Sequence, residues 1–334
     1  AIGFGVLAAQ SYGARNYRQL GLYYQRSVVV QLLFLALTSL IFLRTENLLT
    51  LIGYEDDLAK LVGTFVITSI PTFCCYAIFM STAFFLMAQE RYDVNAKISI
   101  LAIFIHFLAC KFFIISMDLK LIGASIAKGI STFSMLFLCY EYIRRYNSCP
   151  EAWFPWTKES LDDLSGFIKV VFSHGSCVYA EWMTYELLTI LAGYLHDVNI
   201  LAAHTAILNY VYIMFNVVYG VVVSASTCLG NAVGEGSVKM VKIYAKSGAI
   251  VAYAGVGTIV AFSAVFSRQI ASFYIEHEAV VEIGTNLVLI YVFIMPAEIS
   301  ANMFGYFLRT IGHERYILHC YMISYYAVAL SCST

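Results

Sequence analysis

Three glutamates of this chain, Glu181, Glu186 and Glu298, sit inside long apolar stretches. An acidic side chain at the centre of a membrane helix costs roughly 2.5–3.5 kcal/mol on insertion scales. That cost falls if the carboxyl faces a watery cavity, keeps its proton, or meets a cation. The second half of the sequence offers no lysine or arginine at comparable depth. The partners left are a proton, water or a transported cation. A carboxyl that exchanges its proton as its surroundings change supplies the chemistry of ion-coupled transport. Glu298 and Glu181 are the first candidates for that role, Glu186 the third. Glu181 and Glu186 stand roughly 140° apart around a helix, so they do not aim at one point. Tyr185 lies nearer the Glu181 face and Trp182 nearer the Glu186 face. Tyr291 precedes Glu298 by two turns on the same face. It is a candidate aromatic wall for an organic cation, with plain packing as the alternative. No nucleophile elbow, phosphate loop or zinc-spaced histidine set occurs. Enzyme chemistry, a cofactor and a metal are therefore not expected.

The composition says what must position these acids. The chain has 334 residues, of which 60% are hydrophobic and only 12% charged, against about 25% charged in a soluble domain. Mean hydropathy is +0.76. A net charge of −1 points to no nucleic acid or other polyionic partner. Nine cysteines, mostly in apolar runs, do not form a disulfide framework. The class is an all-α integral membrane protein, with the lipid bilayer as its surroundings. Ten apolar segments are legible: 1–14, 21–43, 61–89, 98–117, 121–140, 167–195, 198–234, 247–267, 283–308 and 316–334. Each is read as a membrane helix, the first and last being short or doubtful. Fourteen of the 20 Lys and Arg residues follow the odd-numbered segments, which puts those connections in the cytoplasm.

Two halves resemble each other. Gln89-Glu90-Arg91-Tyr92 is echoed by His313-Glu314-Arg315-Tyr316, and Pro71 by Pro296, at offsets of 224 and 225. Gly13 and Gly234 end matching segments at an offset of 221. The pattern predicts a parallel repeat of six-helix units. It divides the chain into an N-terminal bundle 1–145, a linker 146–164 and a C-terminal bundle 165–334. The charge cluster Lys158–Asp163 in the linker is expected as a short interfacial helix or a solvated loop. Pro71 and Pro296 are hinge points or static kinks. The chain starts without Met in one apolar run and stops in another, which reads as a fragment with one helix absent at each end.

Four stretches carry a family resemblance. They are Gln10-Ser11-Tyr12-Gly13-Ala14 with Leu20-Gly21 and Gln25-Arg26-Ser27; Glu181-Trp182-Met183-Thr184-Tyr185-Glu186; Gly230-Asn231-Ala232-Val233-Gly234-Glu235-Gly236; and Pro296-Ala297-Glu298 with Leu308-Arg309-Thr310-Ile311-Gly312. In this order they resemble the multidrug and toxic compound extrusion (MATE) transporters, eukaryotic branch, over helices two to eleven. The chain departs from the family at Ser173-His174, Val218 and Cys228, where prolines or an arginine are common. The resemblance implies a two-bundle secondary transporter that rocks around a central cavity. Its cargo would be small organic cations, exported in exchange for protons, with Na⁺ as the other coupling ion. Asn209 falls where the family often has a polar or acidic residue. Gln10, like Asn209, is either a site residue or an interhelical hydrogen-bonding group. A monomer in the plasma membrane or a vacuolar or vesicular membrane is expected. The rival readings are a lipid-linked oligosaccharide flippase of the same superfamily and a non-transporting fragment.

Overall fold

Uncharged runs punctuated by capping residues make this chain helical nearly throughout. The structure is a computed structural model that describes residues 1–146, 149–194 and 197–324. The elements are α1 (Ile2–Gly13), α2 (Tyr17–Phe42), α3 (Thr45–Ile52), α4 (Asp56–Ala88), α5 (Tyr92–Cys110), α6 (Lys120–Tyr146), α7 (Leu164–Tyr194), α8 (Val198–Gly234), α9 (Val238–Val265), α10 (Ser267–Tyr274), α11 (Glu278–Thr310) and α12 (Glu314–Tyr321). A wider π turn, Lys111–Ser116, prolongs α5. Side chains of Asn16, Asp197 and Ser237 cap α2, α8 and α9 by accepting from their first-turn N–H groups, which closes donors a helix start leaves open.

Seven of these helices are long and apolar enough to cross a membrane: α2, α4, α5 with its π turn, α6, α8, α9 and α11. The sixth predicted segment forms α7, which at 31 residues has the length but carries Lys169, His174, Glu181 and Glu186. Phe34, Leu37, Phe104 and Phe107 are more than half exposed. That is costly in water and natural against lipid. Between helices the contacts are small and polar instead, as packing in lipid favours. Ser27 and Ser81 hydroxyls meet at 2.9 Å, Ser69 and Ser125 at 3.0 Å, Ser226 and Thr310 at 2.7 Å. The end of the tenth segment, residues 325–334, lies outside the described residues.

The repeat is present, in a register the sequence motifs miss by a few residues. α2 and α9 start 221 residues apart, and α3 and α10, α4 and α11, α5 and α12 each start 222 apart. α4 and α11 have the same length of 33 residues. Their exits match as well. Arg15 and Gly236 have positive φ of 56° and 70°, Glu90 and Gly312 of 63° and 91°. The Glu90 N–H donates to Met87 O, as the Gly312 N–H does to Arg309 O. Glu90 is thus equivalent to Gly312 rather than to Glu314. Pro71 and Pro296, both inside helices, stand about one turn out of register. The helices α3 and α10 were invisible as apolar runs, because eight residues with one wet face make no long stretch.

The chain forms two compact units, Ala1–Val171 and Phe172–Thr334. The segment expected as a linker belongs to the first unit together with the start of α7. It is neither an interfacial helix nor a free loop. Lys158–Leu161 make one 3-10 turn, and the stretch is strapped to α2. The Gln25 amide donates to Phe154 O and Pro155 O and accepts from the Thr157 N–H. Buried Arg26 donates to Ser160 O and Glu159 O, each at 3.2 Å. Gly21 leaves the space that Ala152 O and the Phe154 ring fill.

Candidate functional site

The polar residues around Glu181 and Glu298 lie along two helix faces. On α11, Tyr291, Met295, Glu298, Asn302, Gly305 and Arg309 recur at spacings of three, four and seven, which stacks them on one side. On α7, Cys177, Glu181 and Tyr185 recur every four residues. Hydrogen bonds join the two rows. The Tyr185 hydroxyl donates to Glu298 Oε1. Asn302 Nδ2 donates to Glu181 Oε1 at 2.6 Å and to its own helix at Glu298 O, 3.2 Å. Below them Cys177 is fully buried among Ile317, Tyr321 and Leu308.

Glu181 is 3% exposed and Glu298 is partly buried. Glu298 also borders a cavity of about 20 Å³ together with Tyr291, Tyr210, Ser263, Met214 and Met295. That is room for a water molecule. Tyr291 therefore shares a wall with Glu298, as their spacing suggested. Glu186 is exposed, on the other side of α7. Trp182 stacks on Tyr212 with ring centroids 5.6 Å apart, and Tyr185 meets the same ring edge-on at 6.2 Å. Tyr212 thus links both aromatic candidates. Asn209 is exposed and gives its amide to Thr205 O of its own helix at 2.9 Å, so it is not drawn to the acids. Gln10 lies on α1 in the first unit.

Two residues of the site escaped the sequence reading. Asn302, fully buried, ties the Glu181 carboxyl to α11 through its amide. Arg309 corrects the expectation that no cation lies near them. Placed by sequence at a cytoplasmic connection, it is 1% exposed in the last turn of α11. Its Nε donates to Gly305 O at 3.0 Å, and its guanidinium carbon lies 4.2 Å from the Tyr306 ring centre. Glu181 and Cys177 are within its electrostatic reach. A cation at a helix C-terminus gains from the helix dipole and from a ring face, which offsets its burial. The i, i+4, i+7, i+11 spacing of Glu298, Asn302, Gly305 and Arg309 was the available signal for both.

This arrangement can bind and release a proton or a cation out of bulk water. Among the described residues no group of three or more His, Cys, Asp or Glu could hold a metal ion. The family model described as MatE matches residues 1–111 and 177–333. The chain belongs to the MatE family. It is 27% identical over 346 residues to human multidrug and toxin extrusion protein 1, covering 99% of this chain and 59% of that protein. It is 29% identical over 238 residues to Protein DETOXIFICATION 16 of Arabidopsis thaliana, covering 71% and 49%. The chain thus spans less than two thirds of the length of these relatives. The crystal structure of the eukaryotic MATE transporter AtDTX14 superimposes with a TM-score of 0.90 at 19% identity, over 98% of this chain and 73% of that one. This MatE chain has the fold of that transporter and is a multi-pass membrane protein.

Proposed function

We propose that this MatE chain is the core of a secondary active transporter that exports small organic cations in exchange for protons. The observation that carries the reading is Glu298: a carboxyl on a membrane helix, facing a small cavity and held by the Tyr185 hydroxyl. Glu298 exchanges its proton for cargo as access alternates. Glu181, fixed by Asn302, supports it, and Trp182, Tyr212, Tyr185 and Tyr291 offer ring faces to a cationic cargo. Glu186, on the exposed face, comes third. Pro71 and Pro296 serve as bending points. The relatives named for extrusion and detoxification are consistent with this reading, as is a plasma or vacuolar membrane. The acids speak against a lipid-linked oligosaccharide flippase, whose pyrophosphate cargo needs a cationic cavity.

The test uses the full-length protein in proteoliposomes with a fluorescent organic cation. A pH gradient is expected to drive transport, and Glu298→Gln to abolish it. Transport that follows only a Na⁺ gradient would replace the proton in the proposal. Undiminished pH-driven transport by Glu298→Gln would falsify the assignment of that residue.

A further inference from the structure

Within the second unit, α9 opens with three lysines on one face. Lys239, Lys242 and Lys246 are exposed, and at the α-helical pitch they fall within about 60° of one another. Gly248 lies nearly opposite them, and a Cβ there would meet Ala225 of α8 and Phe307 of α11. Ile243 and Ile250 share the lysine face and are 45% and 59% exposed. The row therefore points away from the bundle and runs on into side chains that face lipid. Length sets its depth. α9 has 28 residues, about 42 Å at 1.5 Å each, against about 30 Å of hydrocarbon. The uncharged stretch Ser247–Val265 fills the hydrocarbon. The turns that carry the lysines are left for the headgroup layer, on the side that the Lys and Arg distribution assigns to the cytoplasm.

The first half shows what such a face meets. At the 221-residue offset between α2 and α9, the three lysines correspond to Arg18, Gly21 and Gln25. That face of α2 lies under the strap, whose oxygens receive its donors. Arg18 pairs with Glu159 at 2.6 Å, and the Gln25 amide donates to Phe154 O and Pro155 O. α9 has three cations where α2 has one, and among the described residues none of them forms an ion pair. Glu235 is the only acid between Asp197 and Glu276. Ammonium groups held at headgroup depth attract anionic lipid, by about fivefold for each lysine, and the positive end of the α9 dipole acts in the same direction. A zwitterionic headgroup gains less, because its own ammonium already neutralises its phosphate.

We propose that Lys239, Lys242 and Lys246 form a binding site for the headgroup of an anionic phospholipid in the cytoplasmic leaflet, in the place that the strap takes in the first half. The site does not rest on the proposed transport, so binding is read without it. The experiment places the full-length protein in nanodiscs of equal parts phosphatidylserine and phosphatidylcholine, and native mass spectrometry counts the lipid that stays bound. Retention of phosphatidylserine is expected to exceed that of phosphatidylcholine at least about fivefold. Lys239→Gln, Lys242→Gln and Lys246→Gln combined should bring the ratio below about twofold, and the matching triple change to Arg should keep it. Arg144→Gln with Arg145→Gln, which removes cations that Glu141 already pairs, should leave it unchanged. Millimolar glycerophosphoserine, the soluble headgroup without acyl chains, should not displace the lipid. An unchanged ratio in the triple Gln variant, or an equal loss in the Arg144 and Arg145 variant, would overturn the proposal. Displacement by glycerophosphoserine would assign the lysines to a soluble anion instead. No preference in the unaltered protein would mean that another segment of chain covers this face, and either result would overturn it too.

Discussion

Asn302 is the residue on which the order of the acidic site turns. Its amide is the donor to Glu181, and a buried carboxyl oxygen that loses a donor costs about 1.5–3 kcal/mol. Hydrogen bonds between helices in lipid tend to be worth less, about 0.6 kcal/mol on average. Burial of both partners here argues for the middle of the combined range, about 1–2 kcal/mol. Asn302→Leu should therefore lower thermal stability, while Glu181→Gln combined with it should add little beyond either alone. Melting of the two single variants and the double variant measures this, and additive effects would mean the bond carries no energy. The acids themselves were legible in the sequence because a charge in an apolar run is conspicuous. Asn302 was not, since asparagine in such a run is unremarkable until its face is known. Arg309 was misplaced because it lies within a few residues of a polar turn, where positive charge is usually wet. Burial against Tyr306 at the end of α11 is a tertiary fact that spacing alone does not disclose.

At the scale of elements, the strap is what the sequence concealed most. Long helices were readable from apolar length, but 149–162 has the prolines, charges and tryptophans of an ordinary connection. What anchors it is the Gly21, Gln25 and Arg26 face of α2, whose resemblance to a family motif was visible while its structural purpose was not. Cys149, at the head of the strap, is 8% exposed. Burial pushes its thiol above the ordinary range, so both access and thiolate are scarce at neutral pH. Releasing the strap by Arg26→Ala with Gln25→Ala should expose the thiol and bring its titration back toward normal. Both changes favour alkylation in the same direction. In a protein whose sole cysteine is Cys149, maleimide labelling at neutral pH should be slow with the strap docked and at least about tenfold faster in the double variant. Equal rates would show that Gln25 and Arg26 do not hold it.

Across the whole molecule the two halves use one design for leaving a helix, with different residues. At the exit before α2 the left-handed position is Arg15, and at the matching exit before α9 it is Gly236; the exit before α12 has Gly312. For a residue with a Cβ that conformation costs roughly 1–2 kcal/mol, and glycine avoids it. A Cβ built on Gly236 or Gly312 would meet nothing within 4 Å, so no clash confuses the comparison. Gly236→Ala and Gly312→Ala should therefore each destabilise by about 1 kcal/mol through the backbone alone. Arg15→Gly, at an exposed site, should act in the opposite sense by a smaller amount, because glycine loses more entropy on folding. Melting temperatures of the purified variants should move down by roughly 1–2 °C for each alanine and slightly up for Arg15→Gly. The same sign at both positions of the Arg15–Gly236 pair would mean that the two exits are not equivalent, and that the 221-residue register between α2 and α9 is a coincidence of helix lengths.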